Sequence, residues 1–250
     1  MLKPADELIG LTLGAADGDI GKVKDIYFDD QAWSVQYFVA ETGGWLTGRQ
    51  VLISPQCVGR PDWDAKQLPV SMTKKQIEDS PHVSEDEPVS RQAQTLLGAY
   101  FNWGTYWTDY LAPGLEVMPG AIETDDELSS DANADPHLRS LTEVRGYTIE
   151  ARDGRIGHVE DFVVQTDGWI LRYMLVDTRN WLPGRKVLVS PAWITELDWV
   201  QVHVKADLPL ESIRNAPEFN PDRPLERAYE ARLFEYYGFP PYWEQTSETE

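Results

Sequence analysis

The sequence predicts a mainly β protein made of two small six-stranded barrels in tandem, each followed by short helices and an aromatic tail. Three observations carry this expectation. The chain repeats itself without a gap at an offset of 136 residues, which brings Gly10 onto Gly146 and Pro81 onto Pro217. Short runs alternate apolar and polar residues with the period of a half-buried strand. Turn residues separate those runs at hairpin spacing.

The repeat comes first, because a fixed period organises everything built on it. Between Gly10 and Pro55, 20 of 46 positions are identical to their counterparts, among them Asp17-Gly18, Ile20-Gly21, Trp33, Tyr37 and Gly48-Arg49. Residues 45 to 55, WLTGRQVLISP, return as WLPGRKVLVSP at 181 to 191. The register extends to Tyr106-Trp107, which meets Tyr242-Trp243. A first domain over 1–107, an acidic linker over 108–140, a second domain over 141–243 and a disordered tail over 244–250 follow from it. The linker's centre, ETDDELSSDANADP, is nearly free of large apolar residues and cannot form a core.

Within one repeat, LTLGA leads to Asp17-Gly18, a dipeptide that favours a type I′ hairpin turn. The run IGKVKDIYF alternates and turns into WSVQYFVAE, giving a second hairpin. RQVLIS supplies a fourth strand, and WITEL and WVQVHVKA of the second copy supply a fifth and sixth. Closing six such strands into a barrel removes the exposed edges that an open sheet would present. Thr73 followed by Gln76 has the pattern of a capping box, with Pro81 as the stop of a short helix. A second helix is expected near residues 90 to 101 and again over 225 to 237, each running into an aromatic tail, YFNWGTYW and YYGFPPYW.

Charge and cysteine usage limit the partners. Asp and Glu outnumber Lys and Arg by 42 to 22, a net charge of −20 that repels phosphate backbones and anionic lipid. Nucleic acid is not expected as a partner, nor is direct membrane insertion, since no run approaches a membrane span. The single cysteine, Cys57, excludes an internal disulfide and a cysteine-rich zinc cluster. A cytoplasmic location follows as the expectation.

A site common to both copies must use residues present in both. The four histidines fail that filter: His82, His137, His158 and His203 meet Glu218, Met1, Lys22 and Gln67. With no repeated histidine or cysteine, the usual bases, nucleophiles and zinc ligands are missing, so no catalytic residue, cofactor or metal is assigned, although a site in one copy alone stays open. Arg49 and Arg185 are repeated, and from the next strand each can bridge to a carboxylate of the hairpin, Asp25 or Glu41 in the first copy and Asp161 or Asp177 in the second, as a structural clamp or as an anion site at the barrel mouth. The tails concentrate amphipathic rings: Tyr100, Phe101, Trp103, Tyr106 and Trp107 in one, Tyr236, Tyr237, Phe239, Tyr242 and Trp243 in the other. Such residues dominate interface hot spots, so each tail either caps a barrel or forms a homo-oligomer or partner interface.

The order DG hairpin, IG.V.D, W…Y strand and GR.VL.SP resembles the PRC-barrel family, over residues 5 to 81 and again over 141 to 217. The doubled WL.GR.VL.SP block and the terminal YYGFPPYW are similar to the bacterial tandem PRC-barrel proteins. The resemblance implies PRC-type barrels and an adaptor role, since such barrels occur in the reaction-centre H subunit and in a ribosome-maturation factor of the RimM type. It brings no catalytic residue with it. The expected function is therefore a non-enzymatic, self-associating adaptor for a protein partner that the sequence does not name. Sensing of a small ligand or anion at a barrel mouth or inter-barrel cleft comes second, and an H-subunit-like role in an electron-transfer complex third.

Overall fold

The computed structural model describes residues 1–43, 46, 51–80, 97, 99–100, 137–178 and 185–245. The chain forms two bodies, a C-terminal one from Met1–Leu8, Ala32–Ser34 and Ser140–Glu250, and an N-terminal one from Ile9–Gln31 and Val35–Arg139. The elements run in the order β1 (Leu2–Pro4), β2 (Thr12–Ala15), β3 (Gly18–Asp29), β4 (Ser34–Glu41), β5 (Val51–Ile53), β6 (Gln67–Pro69), α1 (Lys74–Glu78) and β7 (Leu138–Ser140). They continue with α2 (Leu141–Val144), β8 (Thr148–Ala151), β9 (Gly154–Gln165), β10 (Ile170–Asp177), β11 (Lys186–Val189), β12 (Ile194–Asp198), β13 (His203–Ala206), α3 (Leu210–Arg214), α4 (Arg227–Tyr237) and α5 (Tyr242–Gln245). The strands β2, β3 and β4 and helix α1 have counterparts in β8, β9, β10 and α3 at the same offset that relates the sequences.

The N-terminal body orders its strands β6-β2-β3-β4-β5, with β7 also on β3. The C-terminal body orders them β12-β13-β8-β9-β10-β11, with β1 also on β9. The inward residues are those of the alternating runs: Leu13, Ile26, Phe28, Phe38 and Ile53 in one body, Ile149, Phe162, Tyr173, Val187 and Val204 in the other, all fully buried.

Two expectations change. The barrel is not closed: among the described strands no ladder joins β11 to β12. Pro191 has no N–H to give a ladder, and Pro191–Trp193 forms a 3-10 turn in which the Ser190 hydroxyl accepts the Ala192 N–H, so hydrogen bonding at this corner is local. The outer side of β11 is blunted instead by the segment at 218–219, where the Phe219 N–H donates to the Lys186 carbonyl at 2.8 Å.

The second change concerns which strand completes which body. Residues Leu2–Pro4 pair with Gln165–Val163 of β9, and Leu138–Ser140, their counterparts in the repeat, pair with β3. The exchange is reciprocal to the level of single bonds: the Thr166 N–H donates to the Met1 carbonyl, and the Asp30 N–H to the His137 carbonyl. In the N-terminal body Asp30 then holds Arg139 at 2.8 Å and His137 at 3.0 Å. The segment read as linker thus ends in a strand.

Two repeated motifs gain a structural cause. Gly157 sits at a bulge, where Thr148 faces His158 but Glu150 faces Arg155. Its φ is +61°, and a Cβ there would lie 1.9 Å from the Asp177 carbonyl oxygen, so only glycine fits. The turn before β3 places Ala16 and Asp17 at its centre, between paired Ala15 and Gly18, and only Gly18 has positive φ. It is therefore not type I′. Asp17 and Asp153 act at long range instead. Their carboxylates accept the Lys74 and Leu210 N–H at 2.8 and 2.6 Å, fixing the starts of α1 and α3. The capping box of Thr73 and Gln76 forms as expected.

Gly157→Ala should lower the stability of the folded chain by about 2 kcal/mol or more, measured by thermal or urea unfolding, because the carbonyl cannot withdraw without breaking β10. Lys3→Cys with Val164→Cys, in a Cys57→Ser background, should form a disulfide recovered by peptide mass spectrometry, since those positions face each other across β1 and β9.

Candidate functional site

The aromatic tail of the C-terminal body folds back onto that body. Helix α4 stops at Gly238, whose left-handed φ of +73° lets its N–H return to the Glu235 carbonyl. The chain then reverses, and the rings converge on Trp193, which is buried. Tyr237 lies 4.5 Å from it, Phe239 stacks at 5.2 Å and Phe234 meets it edge-on at 5.4 Å. Trp243 packs edge-on against Phe234 at 5.5 Å, and the Tyr236 hydroxyl donates to the Ser212 carbonyl at 3.0 Å. Burial pushes the Tyr237 hydroxyl well above its ordinary pKa. Of the five tail residues, only Tyr236 and Phe239 remain substantially exposed. In the repeat, Trp193 meets Cys57, so the seat of the tail belongs to the second copy alone.

Beneath the tail lies a buried carboxylate that sequence reasoning did not single out. Glu230 is 1% exposed and accepts the Tyr173 hydroxyl at 2.7 Å and the Tyr242 hydroxyl at 3.0 Å. Arg227 completes the group, 3.2 Å from Glu230 and 3.1 Å from the Tyr242 hydroxyl. Burial, then the adjacent Glu230 charge, raises Tyr173 far above the usual phenol range. The repeated Tyr37 and Arg91 could have signalled half of this group, but Glu230 meets Gln94 and drops out of any search for shared residues. Two guanidiniums cover the rings, Arg172 at 4.1 Å over Tyr242 and Arg227 at 4.0 Å over Trp243. Together with Lys3 and Arg223 they line a cleft of about 800 Å³.

Arg185 and Asp161, two members of the expected clamp, have other partners. Arg185 donates to the Ala216 carbonyl at 2.7 Å rather than to Asp161. Asp161 is held by Arg145 at 2.5 Å and by the Asp6 N–H at 3.1 Å, and burial raises its pKa despite that pairing. Arg145 meets Ile9 in the repeat and so gave no signal. Asp25 accepts the N–H of Ile26 at 2.7 Å. Arg49, Phe101, Trp103, Tyr106 and Trp107 lie outside the described residues, and Tyr100 is exposed on the N-terminal body.

The tip of the β12–β13 hairpin carries a cluster of outward-facing apolar side chains. Trp199, Val200 and Val202 are 59%, 72% and 48% exposed, and the Asp198 carboxylate ties the loop by accepting the Val200 and Gln201 N–H. Val202 has a φ of +56°, a conformation that a β-branched residue occupies only under constraint. The same turn in the N-terminal body reads Trp63-Asp64-Ala65-Lys66: its tryptophan is half-buried, and Asp64 and Lys66 stand where the tip has Val200 and Val202. Beside the tip, β12 ends the strand order and presents Thr195 and Glu196.

Comparison with known proteins places the β architecture. Residues 3–70 match the family model of the PRC-barrel domain, so a PRC-barrel domain is present there. A stretch of 85 residues is 31% identical to an uncharacterized protein of Deinococcus radiodurans; it covers 34% of this chain and 30% of that protein. The chain thus spans under a third of the relative it matches. The match at 3–70 includes β1, which the structure places on β9. Among the described residues no helix is long and apolar enough to cross a membrane.

Trp243→Ala should lower the midpoint of thermal unfolding by several degrees, as a packed ring and its cation contact are lost, with no change in sedimentation behaviour. Tyr173→Phe should cost about 1–2 kcal/mol in urea unfolding, because Glu230 loses a hydrogen-bond donor where water cannot replace it.

Proposed function

We propose that this protein is a non-enzymatic, cytoplasmic assembly module: two PRC-barrel-type units in one chain that bind another protein through the β12–β13 tip. One observation carries the reading, the outward-facing Trp199, Val200 and Val202 held on a strained, side-chain-tied loop beside an open sheet edge. A soluble surface exposes such a cluster at the expense of solvation, and contacts of this type close on a partner. The asymmetry supports it, since the equivalent turn has the same tied loop and a tryptophan but carries Asp64 and Lys66 where this one carries Val200 and Val202. The aromatic tail of the same body argues the other way for itself, because its rings are engaged within the body.

Affinity purification with wild type and with Trp199→Asp/Val200→Asn, from the native host, tests the reading. The expected result is a specific partner, or the chain itself, retained by wild type and lost from the variant while the unfolding midpoint stays the same. Identical partner sets for both proteins would overturn it.

A second reading, binding of a small anion, is favoured by the cleft where Arg172 and Arg227 lie over Tyr242 and Trp243. A planar carboxylate or phosphate ester would meet guanidinium forks there. Thermal shift with such anions, lost in Arg172→Gln, would favour it.

A further inference from the structure

His203 on β13 is 3% exposed, yet neither of its ring nitrogens has a hydrogen-bond partner within the protein. A buried imidazole left in that state has given up its hydrogen bonds to water without replacement, so the position calls for a ligand. Its neighbours are acids. Asp198 faces it directly across the hairpin, and Glu196 lies two residues along on the same face of β12. One ligand atom from each of Glu196, Asp198 and His203 lies within 4.8 Å of the other two. Glu150, on the adjoining β8, places an oxygen 3.8 Å from His203 Nε2.

The geometry points to a divalent transition-metal site, of the zinc class, formed by His203, Asp198 and Glu196 with Glu150 beside it. The donor set is one imidazole and two carboxylates, which leaves a coordination position for water or a further ligand and selects borderline ions over calcium and magnesium. Tetrahedral zinc holds its ligand atoms about 3.4 Å apart, a contraction within reach of the exposed Glu196 side chain. Asp198 gives one oxygen to the Val200 and Gln201 N–H, so its other oxygen is the one available to the ion. The Lys205 ammonium, 2.6 Å from Glu196, is the cation that pairs with that carboxylate without an ion bound.

The repeat supplies an internal control. Asp198 meets Asp62, which ties its own loop in the same way through the Asp64 and Ala65 N–H. The shared aspartate is explained by the loop. The other three positions change together: Glu196, His203 and Glu150 meet Arg60, Gln67 and Gly14. In the N-terminal body the Gln67 amide occupies the space beside Gly14, where a Cβ would lie 2.4 Å from its nitrogen. One copy therefore packs an amide against Gly14 at this corner and has Arg60 at the position of Glu196, while the other carries ligand types at all three positions. The site stands whether or not the adjacent tip binds a partner.

Calorimetric titration of the metal-stripped full-length chain with Zn²⁺, Mg²⁺ and Ca²⁺ tests the assignment, with Co²⁺ absorption as the readout of geometry. The expected result is saturable binding of one Zn²⁺ per chain, at least tenfold weaker in His203→Gln, which installs the residue of the other copy. Glu196→Gln, at an exposed position, should weaken it similarly and guards against a folding defect at His203. Co²⁺ should show the visible bands of a four- or five-coordinate site, lost in both variants. Zn²⁺ binding unchanged in both variants, or Mg²⁺ binding as tight as Zn²⁺, would overturn the site and assign the affinity to acidic surface alone.

Discussion

The C-terminal body depends on satisfying both sides of one long strand. β9 pairs with β10 along its length, and a buried strand cannot leave its other side without partners. No single neighbour covers that side. β8 takes the first part, the Gly146 and Tyr147 backbone bonds to Val159 extend it, and β1 takes the end at Val163–Gln165. Core placement follows, because Phe162 and Val164 are held inward only while the ladders fix the register. The bulge at Gly157 bends the strand within its β8 ladder and brings it against the Asp177 carbonyl, a close approach that recurs at Gly21 in the first copy.

Much of this was legible in the residues. The alternation of IGKVKDIYF and WILRYMLVD marked strands, and Thr73 with Gln76 marked a helix start, because these signals are local. What the sequence concealed was long-range. LKP and LRS are too short to read as strands, and nothing in them says which copy they pair with. Asp17 and Asp153 looked like turn residues because the N–H groups they accept lie beyond the range of any turn rule. Closure failed at Pro191, where the same proline that marks the end of a strand also removes a ladder donor.

The candidate sites were hidden by the comparison that revealed the fold. Requiring a residue in both copies discards whatever one copy has gained, and the C-terminal body has gained several. Glu230 beneath Tyr173, Arg145 on Asp161, Trp193 under the tail and His203 among acids all meet unlike residues in the first half. Shared residues mark what the two units need to fold. Unshared polar residues, once placed in space, mark where one unit does something that the other does not.

The exchanged strand also orders events in time. During synthesis Leu2–Pro4 leave the ribosome well before their ladder partners, Val163–Gln165, which are made only after the whole first repeat. Until then the N-terminal segment cannot adopt its final pairing, and a chain halted between the repeats would carry an unmatched strand while lacking the one at Leu138–Ser140 that belongs on β3. Each repeat, taken as a length of sequence, lacks a strand that the other length supplies.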